Sequence, residues 1–183
     1  ALTAGSRENY NANTSLSFQN KRINLYGNYS YRYGNRIGGG YNNISYLNPI
    51  AGSLAIANQT NESKDLNKGH NLKAGLDYFL TEKSVVSFTS GLNLRNGDEK
   101  EFLNINQLYA NGNPFSLSNR TNIEQQEGTN YDLNLDFSQK FNRPKEELTT
   151  NIGFSEGRND NYQVYNTNNY NTNGVASNII DIQ

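Results

Sequence analysis

Hydrophobic and polar residues alternate one for one over several stretches of this chain, which predicts β-strands with one dry face. Tyr10, Ala12, Thr14, Leu16 and Phe18 fall on one side of a first strand, with Asn11, Asn13, Ser15 and Ser17 opposite. Beyond a short turn at 19–22, Ile23, Leu25, Gly27, Tyr29, Tyr31 and Tyr33 share a face against Asn24, Asn28, Ser30 and Arg32. A third strand at about 70–80 sets Leu72, Ala74, Leu76, Tyr78 and Leu80 against Asn71, Lys73, Gly75 and Asp77. Its return strand sets Val86, Phe88, Leu92 and Leu94 against Ser87, Thr89, Asn93 and Arg95. The last two strands put Tyr131, Leu133, Leu135 and Phe137, then Leu148, Ile152 and Phe154, on their apolar sides. The pattern therefore predicts three hairpins, at about 9–33, 70–95 and 131–155.

Between the hairpins lie stretches of another character. Residues 34–69, 96–130 and 156–174 are polar and rich in Gly and Asn, and are expected as long loops. Antiparallel strands crossing a layer send alternate connections to opposite sides. Short turns would thus gather on one side and long loops on the other, the asymmetry of outer-membrane barrels.

A soluble sandwich also alternates, because any sheet with one dry face does so. Two features favour the membrane. The polar sides carry Arg32, Lys73, Asp77, Arg95, Asp132 and Asp136 in mid-strand, as residues lining a watery lumen would. Aromatics gather toward the ends of the apolar sides, at Tyr29, Tyr31, Tyr33, Tyr78, Phe137, Phe141 and Phe154, where interfacial girdles belong. The expected fold is all-β: a segment of an antiparallel transmembrane β-barrel with six or more strands, facing lipid with its apolar side.

Composition sharpens this. Only 34% of the 183 residues are hydrophobic, and the mean hydropathy is -0.85. Thirteen Tyr and eight Phe argue against disorder. A net charge of -1 gives no electrostatic case for nucleic acid. There is no Cys, so disulfides and thiolate metal sites are excluded. No apolar run approaches the ~20 residues of a membrane helix, so any crossing is made by strands. The chain opens at Ala1 without a signal-like segment and is expected to be a mature or excised segment.

The hairpins INLYGNYSYRYGNR (23–36), LKAGLDYFLTEKSVVSFTSGLNLR (72–95) and YDLNLDFSQKFNRPKEELTTNIGFS (131–155) resemble the barrel region of TonB-dependent receptors, especially the Bacteroidetes-type outer-membrane β-barrel family. In that family a strand ends on an aromatic, passes a short charged turn and returns through an alternating strand. The resemblance implies a place in the bacterial outer membrane and uptake of a nutrient or chelate. It also implies partners: outer-membrane lipid, the remainder of the barrel with its plug, and an energy-coupling inner-membrane complex reached through parts outside this chain. Such receptors have about 22 strands around a plugged lumen. Six strands also fall short of the smallest bacterial barrels, so the chain is expected to be an excerpt. The alternative is a non-transporting surface adhesin or a small complete barrel.

Catalytic chemistry finds few parts. His70 is the single His and reads as an interfacial polar residue, and no nucleophile motif accompanies it. Asp132 and Asp136 lie about 13 Å apart along one strand, too far for a glycosidase pair. Gly38–Gly40 lacks the Lys and helix of a phosphate loop, and 97–101 lacks EF-hand spacing. No enzyme activity, cofactor or metal is expected. Tyr41, Tyr46, Tyr109, Tyr162, Tyr165 and Tyr170, placed in the expected loops, are the candidate contacts to the unknown ligand.

Overall fold

Eight strands follow one another in chain order, each hydrogen-bonded to the next in a single sheet. They are β1 (Leu2–Gly5), β2 (Asn9–Gln19), β3 (Ile23–Ser45), β4 (Leu54–Thr81), β5 (Ser84–Tyr109), β6 (Pro114–Lys140), β7 (Glu147–Tyr170) and β8 (Ala176–Ile182). The computed structural model describes residues 2–5, 8–47, 49, 52–143, 145–170 and 176–182. No helix occurs among them, and β1 and β8 are not paired with each other. The fold is thus all-β and antiparallel, as expected, in a sheet that the described residues do not close.

Register follows the predicted alternation. Tyr10 faces Tyr33, Ala12 faces Tyr31, Leu16 faces Gly27 and Phe18 faces Leu25, all on one side of the β2–β3 pair. Between β3 and β4, Arg22 is bonded opposite Phe79, and Tyr46 opposite Ala55. Numbers that rise on one strand fall on the other, the mark of an antiparallel ladder.

The tight turns have local causes. Asn20 Oδ1 accepts from the N–H groups of Arg22 and Ile23, both at 2.8 Å, and so bends the chain between β2 and β3. Thr81 Oγ1 accepts from the Lys83 N–H at 3.1 Å between β4 and β5. From β5 to β6, the Gly112 N–H donates to Tyr109 O while Gly112 holds φ at +82°. A side chain would resist that left-handed conformation.

The expected long loops are a correction. β3 continues to Ser45, β4 begins at Leu54, and β5 and β6 are separated only by residues 110–113. β7 runs unbroken to Tyr170. Of the expected loop 156–174, residues 171–174 lie outside the described part. Even Gly38, Gly39 and Gly40, read as loop glycines, stand within β3. The reason is physical. Alternation records an asymmetry between two environments, and a strand wet on both faces has none to record. Its ladder is held by backbone bonds whatever the side chains are.

The chain divides into two compact units. One comprises Ala1–Gly34, Asn67–Asn96 and Glu127–Asp160, and the other comprises Asn35–Leu66, Gly97–Gln126 and Asn161–Gln183. Among the described residues neither shows a conventional core. Among the described residues the only buried hydrophobic ones are Ala55 and Ala57, and no large side chain is fully buried.

Candidate functional site

The first unit presents a broad apolar face whose described side chains are exposed. Leu16 is 78% exposed, Ile152 66% and Phe18 59%, and Leu72, Leu76, Leu80, Leu135 and Phe154 are exposed as well. Burying a side chain of this kind is worth ~1.5–3 kcal/mol, so leaving a whole face in water is costly. Monomers rarely expose contiguous apolar patches beyond a few hundred Å². This face needs a cover.

Its extent is regular. The apolar positions run from Tyr10 to Phe18 on β2, Ile23 to Tyr33 on β3, His70 to Leu80 on β4 and Val86 to Leu94 on β5. These stretches match the ~9–11 residues with which a tilted strand crosses a bilayer. At one border the side chains turn amphipathic. Tyr10 and Tyr33 bring their rings to 5.7 Å, and Tyr131 and Phe154 do the same. His70 Nδ1 lies 2.8 Å from Tyr29 Oη, and its ring lies 4.9 Å from that of Tyr31. Tyr131 Oη donates to Glu156 Oε2, so a charge appears where the apolar run ends. A cleft of about 230 Å³ lies among Tyr29, His70, Leu72, Leu92 and Leu94. The structure therefore sets His70 in an aromatic border beside Tyr29 and Tyr31.

The opposite face is polar and laced by amides. Asn24 Nδ2 donates to Asp77 Oδ2 at 2.8 Å, and Asn151 Nδ2 donates to Asp136 Oδ1 at 2.6 Å. Asn28 Nδ2 donates to Asn13 Oδ1 at 2.9 Å. Several glycines on this side lie beneath a neighbour's side chain: Gly75 under Tyr26, Gly91 under Asp132, Gly153 under Asn134 and Gly157 under Asn130.

The six expected polar-face charges fall in this unit, but the structure does not join them. The described ion pairs are Arg36–Asp65, Arg143–Glu146 and Arg158–Asp160. No ion pair joins Asp132 or Asp136 to Arg95 or Lys73 among the described residues. Spacing explains Arg95. Asp132 lies level with Gly91, and Arg95 is four residues further along that strand, about 13 Å away.

Arg32 and Arg95 instead border a depression of about 630 Å³, lined also by Asn11, Asn67, Asn71 and Asn93. No carboxylate lines it.

In the second unit Arg36 reaches Asp65 Oδ2 with Nε at 2.8 Å and Nη2 at 2.6 Å. Glu99 stands beside that pair. Burial, then the carboxylates of Asp65, Glu124 and Glu101, push its pKa above the usual carboxylate value, against the opposing pull of Arg36. No group of three or more His, Asp or Glu is placed to hold a metal ion among the described residues.

The six candidate tyrosines also belong to this unit, but five stand on strands: Tyr41 on β3, Tyr109 on β5, and Tyr162, Tyr165 and Tyr170 on β7. Tyr46 lies just past β3. Tyr109 meets Phe115 edge-on at 5.1 Å, and Arg120 lies 5.7 Å over the Tyr165 ring. The described contacts do not gather the six into one cluster.

Sequence reasoning missed the Arg36–Asp65 pair and the covered glycines. A signal for the glycines was present, since Gly75, Gly91 and Gly153 each take a polar-side position in an alternating strand.

No protein-family model and no curated protein matches this sequence.

Proposed function

We propose that the chain is part of the wall of a bacterial outer-membrane β-barrel of the TonB-dependent receptor type, which takes up a nutrient or chelate. The apolar face of the first unit meets lipid, and its polar face meets the water of the lumen. The tight turns at 20–22, 82–83 and 141–146 belong on the periplasmic side. The candidate tyrosines Tyr41, Tyr46, Tyr109, Tyr162, Tyr165 and Tyr170 supply ligand-contacting surface.

One observation supports this most. An uncovered apolar face, as deep as a membrane crossing and bordered by tyrosines, lies opposite a face of Asn, Asp and Arg. Lipid covers such a face without any further layer of protein, and a soluble sheet needs that layer.

The natural absence of cysteine gives a clean test. Single cysteines at Leu16, Leu76, Leu135 and Ile152, and at Ser15, Asn93 and Asn134, are labelled with nitroxide in the full chain reconstituted in vesicles. The first set should be relaxed by oxygen dissolved in lipid, the second by a water-soluble nickel chelate. A monodisperse chain in detergent-free buffer with the first set buried would end the membrane reading.

A second reading has its own support. Eight strands in simple order among the described residues is the count of the smallest bacterial barrels, which fits the non-transporting surface protein or small complete barrel. A cysteine pair that cross-links β1 to β8 within one chain would favour it.

A further inference from the structure

We propose that the polar face of the first unit holds a binding site for a compact oxyanion, a carboxylate or phosphate group, seated over Gly69 between Arg32 and Arg95. The proposal rests on the reading of that face as water-lined, and it names the class of solute the face receives.

Position comes first. Gly69 stands on β4, between β3 and β5. The β3–β4 register that sets Phe79 opposite Arg22 and His70 beside Tyr29 brings Gly69 level with Arg32. On the other side Leu94 O lies 3.7 Å from where a Gly69 Cβ would stand, next to Arg95 along β5. Neighbouring strands lie ~4.8 Å apart, so the two arginine Cα atoms flank the glycine at roughly 10 Å. Two side chains of that length can converge on one small anion.

The glycine is also open. Gly75, Gly91, Gly153 and Gly157 each lie beneath a neighbour's side chain, whereas no side-chain atom comes within 4 Å of the Cβ position at Gly69. The floor of the depression is bare backbone, bordered by Arg32 and Arg95; the Arg95 side chain leans over Gly128 on β6, its Nε 3.9 Å from where a Cβ there would stand, and swings back toward Gly69 to meet the anion.

Charge completes the case. Arg32 and Arg95 are both exposed, and neither forms an ion pair among the described residues. Of the carboxylates of this face, Asp77 accepts from Asn24 and Asp136 from Asn151, and Asp132 lies level with Gly91, about 13 Å along β5 from Arg95. The depression is therefore positive without internal compensation. Each guanidinium offers five donors in a planar fork suited to carboxylate or phosphate. Asn11, Asn67, Asn71 and Asn93 add neutral donors and acceptors for hydroxyl groups on the same solute. A volume of about 630 Å³ is of the size that small-molecule sites occupy.

The full chain folded in detergent is titrated calorimetrically at low salt with citrate, with inorganic phosphate and with glucose as the uncharged control. Saturable binding of citrate, of phosphate or of both is expected, and the stronger of the two tells which oxyanion the site prefers. Arg32→Gln and Arg95→Gln should each weaken it at least about fivefold. Gly69→Val, which fills the floor and alters no charge, should weaken it similarly. Lys73→Gln removes a cation outside the depression and should leave it unchanged. Far-ultraviolet circular dichroism confirms that each variant keeps its strands. Absence of saturable binding by the parent chain overturns the site, as does an equal loss in Lys73→Gln and Arg32→Gln. The membrane reading fails separately: should the nitroxide labels contradict it while citrate still binds through Arg32 and Arg95, the site stands without the barrel.

Discussion

The ring of Tyr26 lies across Gly75 on the neighbouring strand, in the space where a side chain at Gly75 would begin. Two residues away on each strand, Asn24 donates to Asp77. The pair explains why a glycine stands inside β4 at position 75, where it is otherwise a poor strand residue. An aromatic packed over a strand glycine restores the contact that the missing side chain gives up.

That relationship predicts a sign reversal. Gly75→Ala should cost about 1–2 kcal/mol when Tyr26 is present, because the ring must leave its place. In a Tyr26→Ala background the same change should be neutral or favourable by up to ~1 kcal/mol, since alanine then only replaces a weak strand former. Urea unfolding of the four variants in detergent measures the coupling. A purely additive cycle would mean the contact has no energetic weight.

Adjacent positions on β6 test the two faces. Leu135→Arg should destabilise by roughly 2–4 kcal/mol in a bilayer, whereas Asn134→Arg should cost under about 1 kcal/mol. Unfolding from phospholipid vesicles reads both. Equal costs would contradict the assigned sides.

Glu99 predicts a pH dependence. Its folded-state pKa is raised above the ordinary 4.5, chiefly by burial and then by Asp65, Glu124 and Glu101. The folded protein therefore holds this proton more tightly than the unfolded chain does. The contribution is fully present below the ordinary value and is lost as pH rises through the raised one. Glu99→Gln should flatten this slope and stabilise the protein at neutral pH. Its position outside the apolar stretch of β5 keeps it in contact with water, so the gain should be modest. Denaturation midpoints at several pH values decide it, and an unaltered profile in Glu99→Gln would refute the assignment.

Gly112 tests the turn between β5 and β6. Nothing lies within 4 Å of its Cβ position, so Gly112→Ala meets no steric obstacle and bears only the left-handed backbone cost. A loss of about 1–2 kcal/mol is expected in the urea midpoint.

How far the sequence reveals this molecule depends on where water meets grease. The two faces from Tyr10 to Tyr33 were readable, because each side chain there differs in kind from its neighbours along the strand. The continuation of β3 through Gly38, Gly39 and Gly40 was not, since nothing along it distinguishes one side from the other. The same blindness hid β5 beyond Leu94 and turned strand tyrosines such as Tyr41 and Tyr162 into expected loop residues. Alternation put the charges of the polar side into one set. Their partners depend on which residues stand level across strands, and a shift of four positions separates Asp132 from Arg95. The aromatic border was visible as a list of residues, but its joining of His70 to Tyr29 and Tyr31 needed coordinates.

The apolar stretch on β2 to β5 amounts, at the usual strand tilt, to a greasy belt about 21–26 Å tall. That is several ångströms thinner than the hydrocarbon of an average bilayer. In the membrane setting proposed above, such a belt would draw the surrounding acyl chains inward, and it would sit at ease among short-chain lipids. A preference of this kind sorts a protein by thickness alone, toward the thinnest envelope a bacterium possesses, with no address signal read by any receptor.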